Sequence, residues 1–129
     1  MNHYVYIIYS LNFDTYYKGY SLDPLQRLAE HNANKSKFTA RKGPWILVHL
    51  EVFSNKSLAL KREAALKKYD HRQLIDLINS SVNQLNFFLS QWINLSAIEF
   101  DILFNLQALR IHDSKNINSS LLFQYYFSK

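Results

Sequence analysis

Arg27 and His31 are four residues apart, so a helix places both side chains on one face. Arginine suits a phosphate because its planar guanidinium donates a fixed fork of hydrogen bonds and stays charged at any relevant pH. A histidine beside it can donate to the same phosphate or handle a proton near neutrality. Tyr6 and Tyr17 add two phenols. With a pKa of about 10, a phenol acts as a general base only where a cation, a metal-bound water or a hydrogen-bond network favours loss of its proton. Glu63 sits in Lys61-Arg62-Glu63-Ala64-Ala65. One such carboxylate can hold Mg²⁺, an ion that fills its other positions with water and substrate phosphate. Each residue also has a plainer explanation. Arg27 can be a surface charge, His31 a cation at a helix C-terminus, Glu63 half of a surface ion pair, and the tyrosines packing residues.

The elements that must position these groups are legible in the chain. His3 to Ser10 is β-branched and aromatic and predicts a strand; Asn12-Phe13-Asp14-Thr15 reads as a turn, and Tyr16 to Tyr20 as a second strand. Pairing as an antiparallel hairpin brings Tyr6 and Tyr17 near each other. Asp23-Pro24 starts a helix that runs to about His31, with Asp as cap and Pro preorganised in the first turn. Asn32 to Pro44 reads as a basic loop whose Lys35, Lys37, Arg41 and Lys42 are candidate contacts to nucleic acid. Trp45 to Phe53 is a third strand. Ser57 is the expected cap of a helix from Leu58 to about Tyr69, and a short helix follows around Arg72 to Ile78.

The 129 residues contain no cysteine, which excludes disulfides, thiolate zinc sites and cysteine nucleophiles. No His/Asp/Glu cluster suggests zinc, and neither a Gly-rich phosphate loop nor a Ser/His/Asp pattern is present. Met1-Asn2-His3-Tyr4 does not open a signal peptide, and no stretch reaches the roughly 18 apolar residues of a membrane span, so a soluble cytoplasmic protein is expected. The net charge of +5 belongs entirely to residues 1–78, since residues 79–129 carry as many acids as bases. Clustered positive charge favours a polyanion partner through counterion release.

Taken in order, these residues resemble the GIY-YIG endonuclease superfamily, in particular its small stand-alone bacterial members. Tyr4-Val5-Tyr6 stands for the GIY element and Tyr17-Lys18-Gly19 for YIG, with Gly19 the retained glycine of the motif. Leu25-Gln26-Arg27-Leu28-Ala29-Glu30-His31-Asn32 is similar to the family's Arg helix; Gly43-Pro44-Trp45, Leu60-Lys61-Arg62-Glu63 and Leu66-Lys67-Lys68 continue the likeness across residues 3–80. Two positions depart from the pattern, because Tyr4 replaces the glycine of GIY and Lys18 the isoleucine of YIG.

The resemblance implies an α/β (α+β) domain with a three-stranded antiparallel sheet flanked by helices, hydrolysing a nucleic-acid phosphodiester, of DNA in the first place, in repair or recombination. It implies a divalent metal, Mg²⁺ or Mn²⁺, on Glu63. Arg27 would clamp the phosphate, and Tyr6 or Tyr17 would help activate water, with the other phenol and His31 positioning it. Asn79 is the nearest candidate for an asparagine some members use beyond the metal-binding glutamate. The alternatives are a nucleic-acid-binding module without turnover, and an interaction protein that works through its C-terminal part.

The expected nuclease domain spans residues 1–85, and residues 86–129 form an apolar, Asn/Ser-rich extension outside the resemblance. In that extension Phe88, Trp92, Leu95, Ile98, Ile102 and Leu106 recur at helical spacing, predicting an amphipathic helix within Asn86 to Leu109, with a polar break at His112 to Ser120. Such a helix could cover an apolar face or mediate self-association.

Overall fold

A computed structural model describes residues 1–92. Three strands form one antiparallel sheet in the order β2-β1-β3: β1 (His3–Ser10), β2 (Thr15–Ser21) and β3 (Trp45–Phe53). The helices are α1 (Pro24–Asn32), α2 (Lys56–Leu66), α3 (His71–Ile78) and α4 (Leu85–Trp92). The hairpin turn ends on Asp14, which takes a left-handed φ of 47° and accepts a hydrogen bond from the Tyr9 hydroxyl at 2.8 Å. Aspartate tolerates that conformation better than most residues.

The period of two along β1 sends alternate side chains into two separate cores. Tyr4, Tyr6 and Ile8 face Leu28 of α1 and Leu85, Phe88 and Leu89 of α4, together with Trp45, Leu47 and Leu50. Val5, Ile7 and Tyr9 face Ala59 and Leu66 of α2 and Leu74, Leu77 and Ile78 of α3. The result is the expected α+β layering, helices on both faces of a small sheet. A bulge interrupts the β1–β3 register, where Ile7 pairs with His49 but Ile8 with Leu47. The extra residue turns two successive β3 side chains out of strict alternation.

Asp23 caps α1 by accepting from the Gln26 N–H at 3.1 Å, as the Asp-Pro start implies. The cap of α2 is Asn55, not Ser57: its side chain accepts from the Leu58 N–H at 2.8 Å, and the helix begins at Lys56. Instead of continuing to Tyr69, α2 ends at Leu66, because Asp70 and Gln73 form a reciprocal capping box that opens α3. The free edge of β3 is closed by side chains. Asn83 accepts from the Leu50 and Leu85 N–H groups and donates to the Val48 and Ile78 carbonyls, while Gln84 accepts from the Val52 N–H.

The domain boundary expected at residue 85 falls at the first residue of α4, whose Leu85, Phe88 and Leu89 pack into the first core. The Tyr4 ring meets Phe88 edge-on at 5.7 Å, so the departure from GIY at this position packs against α4. The rest of the amphipathic stretch and the polar break lie outside the described residues. Among the described residues no helix is long and apolar enough to cross a membrane.

Candidate active site

Gly19 fixes the geometry from which the site is built. It pairs directly with Tyr6 across the hairpin, and a β-carbon on Gly19 would overlap the Tyr6 ring near its hydroxyl. The phenol therefore lies flat over β2. Tyr17 pairs with Ile8, one step along the same face, so the two tyrosines are diagonal neighbours with ring centroids 6.4 Å apart.

α1 delivers the next group. His31 is fully buried; its ring stands edge-on to Tyr17 at 5.0 Å, and its Nε2 lies 2.9 Å from the Tyr6 hydroxyl. Its Nδ1 is held by Thr39 Oγ1 at 2.6 Å. Burial, then the nearby charge of Arg27, pushes the His31 pKa down to about 4. The imidazole is thus neutral near pH 7, which replaces the helix-end cation of the plainer reading. Burial also raises the Tyr6 pKa, with Tyr17 adding to the effect; Arg27 opposes it, and the charge of Glu63 raises it further. Tyr6 accordingly keeps its proton, and a neutral imidazole with Nδ1–H directed at Thr39 has Nε2 free to accept from the phenol.

Arg27 is half-buried beside this trio. One amino group donates to Glu30 Oε1 at 2.9 Å and the other to Ser36 Oγ at 3.4 Å. The Glu30 bond raises the guanidinium pKa, so Arg27 carries its charge throughout. The basic loop is consequently tied to the site twice, by Ser36 and Thr39 pointing inward. Its Lys35, Lys37, Arg41 and Lys42 are exposed. Asn32 secures the far end of the loop, accepting from the Trp45 N–H at 2.6 Å and donating to the Trp45 carbonyl at 3.1 Å.

Glu63 comes from α2 in the opposite layer. Its side chain is 17% exposed and pairs with Lys67 at 3.6 Å, too long for a hydrogen bond. Tyr6, Tyr17, His31 and Arg27 thus converge directly, whereas Glu63 joins them through its charge on Tyr6. Among the described residues no three His, Asp or Glu side chains gather as a metal cage. A single half-buried carboxylate with lone pairs to spare fits an ion that keeps most of its water, such as Mg²⁺ or Mn²⁺. Asn79 is exposed at the C-terminus of α3; the asparagine with a full set of partners is Asn83. Thr39 and Ser36 escape sequence reasoning because loop hydroxyls carry no periodic signal.

Comparison with known proteins adds an independent observation. The family model described as the GIY-YIG catalytic domain matches residues 2–75. The chain belongs to the GIY-YIG family. A UPF0213 protein of Staphylococcus haemolyticus is 39% identical over 77 residues, covering 59% of this chain and 93% of that protein. One of Halobacterium salinarum is 42% identical over 72 residues, covering 55% and 92%. A solution NMR structure of a UPF0213 protein from Bacillus halodurans is 32% identical over 64% of this chain and 87% of its own, with a TM-score of 0.42. Within the GIY-YIG family frame, Tyr4-Val5-Tyr6 lies on β1 and Tyr17-Lys18-Gly19 on β2, and Gly19 is the glycine on which Tyr6 rests.

Proposed function

We propose that this GIY-YIG protein is an endonuclease that hydrolyses nucleic-acid phosphodiester bonds, DNA first among them, with one Mg²⁺ or Mn²⁺ held by Glu63. The observation that carries the reading is the buried Tyr6–His31–Thr39 chain beside a permanently charged Arg27. In such a chain the neutral His31 Nε2 accepts from the Tyr6 hydroxyl and Thr39 keeps the imidazole turned, so that the phenol oxygen is held as an acceptor that orients the attacking water. Tyr17 packs edge-on against His31 and limits its tilt. Arg27, held from two sides by Glu30 and Ser36, offers its remaining N–H groups to a phosphate as negative charge builds. A divalent ion on Glu63 would polarise the phosphate and stabilise the leaving oxygen. Lys35, Lys37, Arg41 and Lys42 would bind the flanking backbone, on the loop that also supplies Thr39.

The test is incubation of the purified full chain with Mg²⁺ or Mn²⁺ on single-stranded, duplex and branched DNA and on RNA, beside Glu63→Ala and Arg27→Ala. Cleavage should depend on the metal and fall by a factor of roughly 100 or more in either variant. Salt-sensitive binding without cleavage of any substrate would make the protein a binding module instead.

A further inference from the structure

α2 carries Glu63 but has little apolar surface to hold it in place. It buries only Ala59 and Leu66, while Leu58 and Leu60 are exposed. One buried alanine and one buried leucine set the distance of the helix from the sheet more firmly than its rotation about its own axis. Side chains stand about 6 Å from a helix axis, so each 10° or so of roll moves a carboxylate by about 1 Å. Metal ligation tolerates only about 0.2 Å.

The same face of α2 bears a third anchor. Arg62 lies three residues after Ala59 and four before Leu66, and so points with them at the sheet. Its Nε donates to Glu51 Oε1 at 3.0 Å and its Nη2 to Glu51 Oε2 at 3.2 Å. The fork fixes position and rotation together. Glu51 lies on β3, 6% exposed, and its Oε2 also accepts from His49 Nε2 at 2.7 Å. Burial alone would raise the Glu51 pKa, but the bonds from His49 and Arg62 outweigh it and hold the carboxylate below its usual range. His49 is fully buried, and its Nδ1 has no partner among the described residues. With its Nε2 donating to the buried carboxylate, His49 serves as a fixed donor to Glu51. The other flank of α2 carries Glu63, which pairs with Lys67 just past the helix end. Lys67 is near enough to Lys18 on β2 for its charge to add to burial in lowering the Lys18 pKa.

We propose that Glu51, backed by His49, is a positioning residue that sets the roll of α2 through Arg62 and thereby places Glu63 to hold its divalent cation. This rests on the reading of Glu63 as the metal ligand. The pair acts one residue away from Glu63, along the helix.

Manganese binding can be read without turnover. In the ¹⁵N-labelled full chain titrated with Mn²⁺ alone, paramagnetic broadening of amides around Glu63 gives an apparent Kd. Glu51→Gln and Arg62→Gln should each weaken it roughly tenfold, and the double variant no further, because the two act as one unit. Arg62→Lys, which keeps the charge and loses the fork, should weaken it roughly threefold and serves where Glu51→Gln does not fold. Leu77→Val, a core change in α3, should lower the melting temperature and leave the Kd unchanged. Wild-type affinity in folded Glu51→Gln or Arg62→Lys would overturn the positioning role, as would equal weakening in Leu77→Val. If Glu63→Ala leaves the broadening as in wild type, the metal reading falls, and the positioning role falls with it.

Discussion

Gly19→Ala should damage the protein out of proportion to one methyl group. The backbone at Gly19 is not left-handed, so alanine suffers no conformational strain there and gains about 0.5–1 kcal/mol by restricting the unfolded chain. Against this, its β-carbon falls on the Tyr6 ring, and Tyr6 is 1% exposed with Leu28, Trp45 and Leu47 in the same core. Forcing that ring aside costs about 1–3 kcal/mol of overpacking. It also pulls the hydroxyl from its 2.9 Å bond to His31, leaving a buried imidazole short of a partner at a further cost of about 1–3 kcal/mol. The net loss should be about 3 kcal/mol, which lowers the melting temperature of a domain this size by roughly 10–20 °C. Urea denaturation of wild type, Gly19→Ala, Tyr6→Ala and the double variant measures it as a cycle. Most of the Gly19→Ala penalty should vanish once Tyr6 is gone. A penalty below about 0.5 kcal/mol, or one of equal size in the Tyr6→Ala background, would refute the reasoning.

Acid should destabilise the protein through His31. Its folded pKa is about 4 against an unfolded value near 6.5, so the unfolded chain binds the extra proton between those values and stability is lost as pH falls through that window. About 3 kcal/mol should disappear between pH 7 and pH 4 or so, and urea melts of His31→Gln should show a flatter acid limb. Asn83→Ala removes the amide that bonds Val48, Leu50, Ile78 and Leu85, and should cost about 2–3 kcal/mol by the same melts, with hydrogen exchange rising first at Leu50. Neutralising Lys35, Lys37, Arg41 or Lys42 singly should make the fall of log affinity with log salt shallower by about one for each phosphate left without its cation, as fluorescence anisotropy with labelled DNA would show.

The sheet and α1 were legible because their signals are local. The short β-branched and aromatic run of His3–Ser10, the like run of Trp45–Phe53, and the Asp23-Pro24 start fix those elements without any knowledge of what packs on them. The end of α2 was harder to read. Lys67, Lys68 and Tyr69 are tolerable in a helix, and only the Asp70–Gln73 capping box decides that a new helix begins there. Asn55 and Ser57 are both cap-forming residue types, and the helix begins at Lys56 because Asn55 accepts from the Leu58 N–H of the first turn. Within the candidate site, side chains four residues apart on a helix or facing across a hairpin could be paired in advance, which covers Tyr6, Tyr17, Arg27 and His31. Partners that meet only in three dimensions could not. Thr39 finds His31 through a loop, and Glu51 finds Arg62 across the sheet-to-helix interface, where a strand glutamate ordinarily reads as a solvent-facing residue.

If Glu63 holds the metal for strand cleavage beside the Tyr6–His31 pair, removing its charge must abolish turnover without releasing the strand. The direct measurement follows scission of a labelled DNA strand by wild type and Glu63→Gln, with and without Mn²⁺, at equal folded concentration and equal strand binding. Wild type should cleave only when metal is present, and Glu63→Gln should lose at least roughly 100-fold in rate with strand affinity retained. Metal-dependent cleavage that continues at the wild-type rate in Glu63→Gln would contradict the assignment.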